Sequence, residues 1–124
     1  STAMTLDSSG NLLVGKTVAS SSGAGVQLEG TTGQIVAVSD GQFPLFLNRL
    51  SSDGDIAQFR KDGALMGSAQ ADAGYFNIGS GTTRLDFVDS SPKRVIPRAG
   101  HSAVSNGEID LGDAGSRFKD LYLQ

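Results

Sequence analysis

Seventeen glycines are scattered through 124 residues, and they cut the apolar sequence into runs too short to make a helix. The runs are "GVQLE" (25–29), "QIVAV" (34–38), "PLFLNR" (44–49), "DIAQFRK" (55–61), "YFNI" (75–78) and "RLDFV" (84–88). Gly, Asp, Asn or Ser bounds each run, the punctuation of short strands joined by tight turns. Asp40-Gly41, Asp53-Gly54, Asp62-Gly63 and Asn106-Gly107 supply turn dipeptides whose glycine accepts the positive φ that a hairpin requires. An all-β fold of short antiparallel strands follows. Strand geometry places Leu85 and Phe87 on one face of "RLDFV" and Arg84 and Asp86 on the other. In "PLFLNR", Leu45 and Leu47 lie opposite Phe46 and Asn48.

A small unit recurs: a polar residue and Gly, then apolar residues, then often Gly again. "SGNLLVG" (9–15) and "DGALMG" (62–67) are two copies, and "DGDIAQF" (53–59) is a relaxed third. Strand–turn units of this size cannot close a core alone, so their repetition points to an elongated β-structure. One short helical turn is predicted in "GSRFKDLYLQ" (115–124), where Ser116 can cap a turn running through Asp120.

Residues 10–17, "GNLLVGKT", match G-x-x-x-x-G-K-[ST], the phosphate-cradling loop of nucleotide hydrolases. That loop needs a buried strand before it and a helix start after it, whose backbone N–H groups face the phosphates. Upstream, "STAMTLDSS" holds no apolar run, and downstream "VASSSGAGV" disfavours helix by side-chain stiffness, hydroxyl competition and glycine entropy. The sequence therefore reads as a turn at Ser9-Gly10, a short strand over 11–14 and another turn at Gly15. No cofactor is predicted.

Leu, Ile, Val and Phe make up a quarter of the chain, above the level typical of disorder. With no Trp and so many small residues, however, the private core of one copy would be thin, and burial between chains would make up the difference. The net charge of −3 provides no basic face, which argues against nucleic-acid partners. Cysteine is absent, so neither disulfides nor thiolate metal sites are expected. No apolar stretch approaches the ~20 residues that span a bilayer, so no membrane insertion is expected. Lys93-Arg94 and Arg98 read as a solvated loop edge. Ser1-Thr2-Ala3 ahead of Met4 reads as a cloning remnant, leaving residues 4–124 as a single β-rich domain.

Candidate chemistry is sparse. His101, the only histidine, stands beside Ser102 with Asp110 nearby, but no nucleophile elbow accompanies them. Asp86, Asp89, Glu108, Asp110 and Asp113 are the carboxylates from which a sugar-cleaving pair could be drawn, although most fall at strand edges and turns. "IGSGTTR" (78–84) lies between two strands and reads as a hairpin loop. Tyr75 and Phe43 could stack on sugar rings, with packing the commoner use. No catalytic or metal residue is assigned, and the chain is not expected to be an enzyme.

Two stretches carry a resemblance. "DGALMGSAQADAGYFNIGSGTTRLDF" (62–87) followed by "VIPRAGHSAVSNGEIDLGDAGSRFKDLYL" (95–123) resembles tail fibre and tailspike proteins of tailed bacteriophages. In that group, "IGSG…L.F", then "I.P", then "IDLG…SRFKDLYL" often precedes a C-terminal self-cleaving intramolecular chaperone. The matching positions are 78–81, Leu85, Phe87, Ile96, Pro97 and 109–123, with "SRFKDLYL" the most specific block. No counterpart of the self-cleaving serine lies in this sequence, so no catalytic role is carried over. The resemblance implies a β-rich, intertwined homotrimer on the virion, with 4–42 as shaft-like strand–turn repeats and 43–124 as a trimeric tip or clasp. The expected role is a contribution to trimerisation and to attachment to the bacterial cell surface, with a polysaccharide or an outer-membrane protein as the receptor class; the resemblance by itself does not put this segment on the receptor, since shaft and clasp fit it equally. Phe118, Leu121, Tyr122 and Leu123 are the expected trimer contacts, because a terminal apolar segment with little chain left to cover it needs a partner. Two other readings stand beside this one: a non-catalytic C-terminal part of a polysaccharide-degrading spike, and a stand-alone carbohydrate-binding module.

Overall fold

The computed structural model describes residues 3–100, 105–120 and 122. Every regular element among them is a β-strand, and the strands form two antiparallel sheets with no helix. The chain divides into two compact units, Ser1–Phe46 and Leu47–Gln124, each built around one sheet.

The first unit is a four-stranded meander of β1 (Met4–Leu6), β2 (Leu12–Val14), β3 (Gly25–Leu28) and β4 (Ile35–Val38). Asp7 makes the first turn. Its carboxylate accepts the Ser9 and Asn11 backbone N–H groups and the Asn11 side-chain amide, each at 2.9 Å. The second unit is a five-stranded meander of β5 (Gly54–Lys61), β6 (Ala64–Asp72), β7 (Tyr75–Ser80), β8 (Thr83–Val88) and β9 (Arg94–Ala99). Two of its hairpins turn on residue pairs with positive φ throughout, Asp62-Gly63 (50° and 80°) and Ala73-Gly74 (51° and 83°). That geometry matches the twist of the flanking strands. The "IGSGTTR" stretch is a hairpin as its composition suggests, with Ser80 paired to Thr83.

Three local expectations need correction. Residues 44–49 form no strand, and Arg49 instead folds the chain back. Its guanidinium donates to the Ser52 carbonyl (3.0 Å), the Ser52 hydroxyl (3.2 Å) and the Asp55 carbonyl (3.3 Å). The predicted helical turn from Ser116 is not seen among the described residues. The Ser116 carbonyl, which a helix would aim forward, accepts the Asp113 N–H at 2.9 Å in a reverse turn. The supposed loop edge at Arg94 and Arg98 is the strand β9, and Arg98 is buried.

The apolar core is thin: among the described residues only Leu13 and Val88 are buried hydrophobic side chains. The register explains where the rest went. In the first sheet, cross-strand rows Met4–Val14–Val26–Ala37 and Leu6–Leu12–Leu28–Ile35 share one face, and most of these side chains are exposed. The opposite, sheltered face carries Thr5–Leu13–Gln27–Val36. In the second sheet, rows Ala71–Phe76–Phe87–Val95 and Ala69–Ile78–Leu85–Pro97 face out. The rows Gln70–Asn77–Asp86–Ile96 and Ser68–Gly79–Arg84–Arg98 face in. Ordinary one-sided sheets cover their apolar face and wet the polar one. The second sheet does the reverse, and the first mixes Leu13 and Val36 with Thr5 and Gln27 on its sheltered face while leaving most of its apolar side chains exposed.

Candidate functional site

The densest chemistry lies on the sheltered face of the second sheet. Its geometry begins with a glycine. A side chain at Gly79 would run into the Thr83 carbonyl, with Arg84 Cα and Cγ at 2.6 and 2.7 Å. The bare backbone lets Arg84 lie flat across β7. There Arg84 Nε donates to Asn77 Oδ1 at 2.9 Å, and Nη2 donates to the Ser68 hydroxyl at 2.9 Å and the Ser68 carbonyl at 3.2 Å. One arginine thus ties three strands.

Arg98 reaches across the sheet. Its Nε donates to Asp86 Oδ2 at 2.5 Å, and its Nη1 reaches Asp72 Oδ2 at 3.3 Å. Asp72 is on β6 and Arg98 on β9, three strand intervals or roughly 14 Å apart in a flat sheet. The long Arg98 side chain and the Asp72 carboxylate together bridge the intervening strands. All four charged groups are nearly or fully buried, and two arginines balance two aspartates. The hydrogen bond to Asp86 raises the Arg98 pKa above its ordinary value. Burial opposes that shift, and the negative charges of Asp86 and Asp72 add to it. Arg98 is therefore a permanent cation, and a planar fork of this kind suits carboxylate partners.

The layer is sealed but incompletely satisfied. Both side-chain polar atoms of Gln70, Asn77 Nδ2, Asp86 Oδ1 and Ser105 Oγ are buried without a hydrogen-bond partner. Three of these residues, Gln70, Asn77 and Asp86, form one cross-strand row. Such groups ordinarily mark ordered water.

Asp86 is the one sequence candidate drawn into this layer, and its neighbour there is Asp72. Both carboxylates are held on one guanidinium beneath a covered surface, an arrangement that fixes strands together and offers a substrate no approach. The other carboxylates lie elsewhere. Asp89 pairs with Lys93 at 2.9 Å on the surface, and Glu108 is exposed. Asp110 and Asp113 line a shallow groove of about 450 Å³ with Arg117 and Phe118. Asp113 is spent there on its own turn, accepting the Gly115 N–H at 2.8 Å. His101 and Ser102 lie outside the described residues, and among those described no cluster of three metal-ligating side chains exists.

The phosphate-loop match resolves into a strand between two turns, with Leu12–Val14 as β2. The lysine is already occupied: the Lys16 ammonium donates to the Ser20 carbonyl, to the Gly23 carbonyl at 3.2 Å and to Gln27 Oε1 at 3.3 Å. The same Gln27 oxygen accepts the Ser20 N–H at 2.9 Å. Three acceptors use an ammonium's three protons. Lys16 therefore closes a loop over the sheltered face of the first sheet.

Of the expected trimer contacts, Phe118 and Tyr122 are exposed, at 65% and 89%, and Leu121 and Leu123 lie outside the described residues. Phe43 is exposed, and Tyr75 is half-buried at the end of the polar layer. Sequence reasoning missed Ser68, Gln70, Asp72, Asn77, Arg84 and Arg98 as one layer. The signal was the period-two alternation of "GSAQAD" (67–72), whose polar members fall on the same face as those of "RLDFV".

Comparison of the chain with family models, with curated proteins and with solved structures gives no match. Fold and site define an all-β protein in which two sheets shelter polar groups and present apolar faces.

Proposed function

We propose that this chain is a structural and host-recognition domain of a bacteriophage tail fibre or tailspike, working as an elongated, intertwined homotrimer at the virion's host-contacting end. The observation that carries the reading is the pair of exposed apolar faces. A chain with two buried hydrophobic side chains among its described residues and more than twenty large exposed ones needs burial from outside itself. Fibre proteins obtain that burial from identical neighbours, and the resemblance over residues 62–87 and 95–123 points to the same class. In this reading the protein performs no catalysis, and its partners are other copies of itself and a receptor on the bacterial surface, a polysaccharide or an outer-membrane protein. Closed symmetry also protects strand edges from uncontrolled pairing.

Sedimentation velocity tests the assembly: the expected mass is three times 12.8 kDa. A monomer that binds an immobilised sugar would make the protein a stand-alone carbohydrate-binding module. Incubation with capsular polysaccharide is expected to release no reducing ends, and their release would overturn the non-catalytic reading.

A further inference from the structure

We infer that the outward apolar face of the β5–β9 sheet is the surface on which a second copy of this chain docks, with Phe76, Ile78, Leu85, Phe87 and Val95 as its centre. The inference rests on the trimer reading and places the contact on the sheet, where the sequence pointed to the C-terminal tail.

The face is apolar throughout its centre. The rows Ala71–Phe76–Phe87–Val95 and Ala69–Ile78–Leu85–Pro97 contain no charged or hydrogen-bonding side chain. Phe76 and Phe87 are half-exposed yet ordered against each other, with ring centroids 6.0 Å apart. Small residues on β6 leave the aromatic side chains standing proud, so a facing surface can interdigitate with them. A groove of about 390 Å³ runs beside Ile78 and Leu85, walled on its other side by Ile109 and Leu111, and it can receive a bulky side chain.

The exposed area is in surplus. Two separate compact bodies with the lengths of these two units would together expose roughly 7,500 Å². The chain exposes 9530 Å², about 2,000 Å² more. Obligate interfaces bury about 2,000–5,000 Å² in total and resemble a core divided between chains. The surplus belongs to the whole chain, and two copies each losing that much would bury about 4,000 Å² together, within that range.

Charge decides the occupant. The chain carries −3, and of the two cations beside Phe87 and Val95 at the edge of the face, Lys93 is paired with Asp89, which leaves no cluster of Lys and Arg of the kind that ties amphipathic surfaces to anionic lipid. A second copy brings the same uncharged face and is present wherever this chain is. The polar layer lies on the opposite face of the sheet and takes no part in the contact. Its two arginines and two aspartates balance within one chain and need nothing from a neighbour.

The chain has no cysteine, which makes the test clean. Leu85→Cys keeps an apolar side chain at the centre of the face, and Asp89→Cys places a thiol on the exposed loop after β8 as the control. In the native protein a maleimide is expected to react with the thiol at position 85 at least ten-fold more slowly than with the thiol at position 89, and urea should abolish the difference. Phe87→Ser is expected to lower the sedimenting mass, whereas Tyr122→Ser should leave it unchanged. Equal reactivity at the two thiols in a protein that still sediments as a trimer would overturn this face while leaving the trimer reading intact. A protected thiol at position 85 in a dimer would uphold the face and overturn the trimer. A monomeric wild type would overturn both.

Discussion

In the first sheet the sheltered face is closed by a loop, with Lys16 and the Ser20 amide converging on Gln27. In the second it is closed by arginine side chains laid across the strands, Arg84 over Gly79 and Arg98 over Asp86. The outward faces are alike: both are rows of apolar side chains, with aromatics added in the second. What differs is the cost of failure behind them. A loop closure leaves a lysine ammonium near water, so breaking it releases groups that can be solvated. An arginine clasp holds carboxylates where water has little access, and breaking it strands a charge. Charge is thus spent inside a small chain with little apolar mass.

The largest expected effect follows from the arginine clasp. Arg98→Met removes the partner of two buried carboxylates, and deletions of this kind cost about 3–5 kcal/mol. Urea unfolding at fixed protein concentration measures it, since apparent stability of an assembled protein depends on concentration. Adding Asp86→Leu to Arg98→Met should recover part of the loss, because the stranded charge is then gone. A loss below about 1 kcal/mol, the range of exposed pairs, would show that the two clasps are equivalent and that the second sheet's polar face is wetted in solution.

How far these features could be read from the chain depended on what each signal encodes. The strands β3, β4, β5, β7 and β8 stand out because glycine and aspartate turns delimit them and their alternation is apolar on one side. The second half of β6 lacks that contrast: in "GSAQAD" the outward positions are Gly67, Ala69 and Ala71, too small to register as hydrophobic. β9 hides behind Pro97, which argues against a central strand. Yet β9 is an edge strand, where proline is tolerated, and the Pro97 carbonyl accepts the Ser105 N–H at 3.1 Å. The pairing of Leu85 with Phe87, and of Arg84 with Asp86, was legible from strand periodicity alone. Which of the two faces is covered was not, because periodicity fixes which side chains share a face and is silent on what lies against it. The carboxylate pair was hidden for the same reason, since Asp72 and Asp86 meet only through an arginine from a third strand.

A middle-sized effect belongs to the loop closure. Lys16→Met keeps the aliphatic stem and removes the ammonium that gathers the Ser20 and Gly23 carbonyls and Gln27. Net contributions of such bonds are roughly 0.5–1.5 kcal/mol each, and partly exposed acceptors recover water when they are lost. The expected total is about 1 kcal/mol in the same urea measurement. Amide exchange should quicken around residues 16–24 and stay unchanged in β5 to β9. A loss as large as that of Arg98→Met would erase the difference between the two closures.

The smallest effect separates the units by pH. Asp7 has its pKa lowered below the ordinary 3.8, first by the Asn11 backbone N–H, then by the Asn11 side-chain amide, with the Ser9 N–H adding to them. A carboxylate that ionises more readily when folded stabilises the fold fully at pH values above 3.8. That contribution is lost as pH falls from there through its lower folded value. Asp7→Asn abolishes this acid dependence for the β1–β2 turn. Wild type and variant should therefore converge in melting temperature below pH 3.8 and part above it, with wild type the higher. Because the group is solvent-facing, the separation is expected to be small. Amide protection at Gly10 and Asn11, the observed rate set against the intrinsic exchange rate at each pH, is the more sensitive readout, falling on acidification in wild type and flat in the variant. Protection in β8 and β9 serves as the internal control, since the Arg98 guanidinium stays charged through this range.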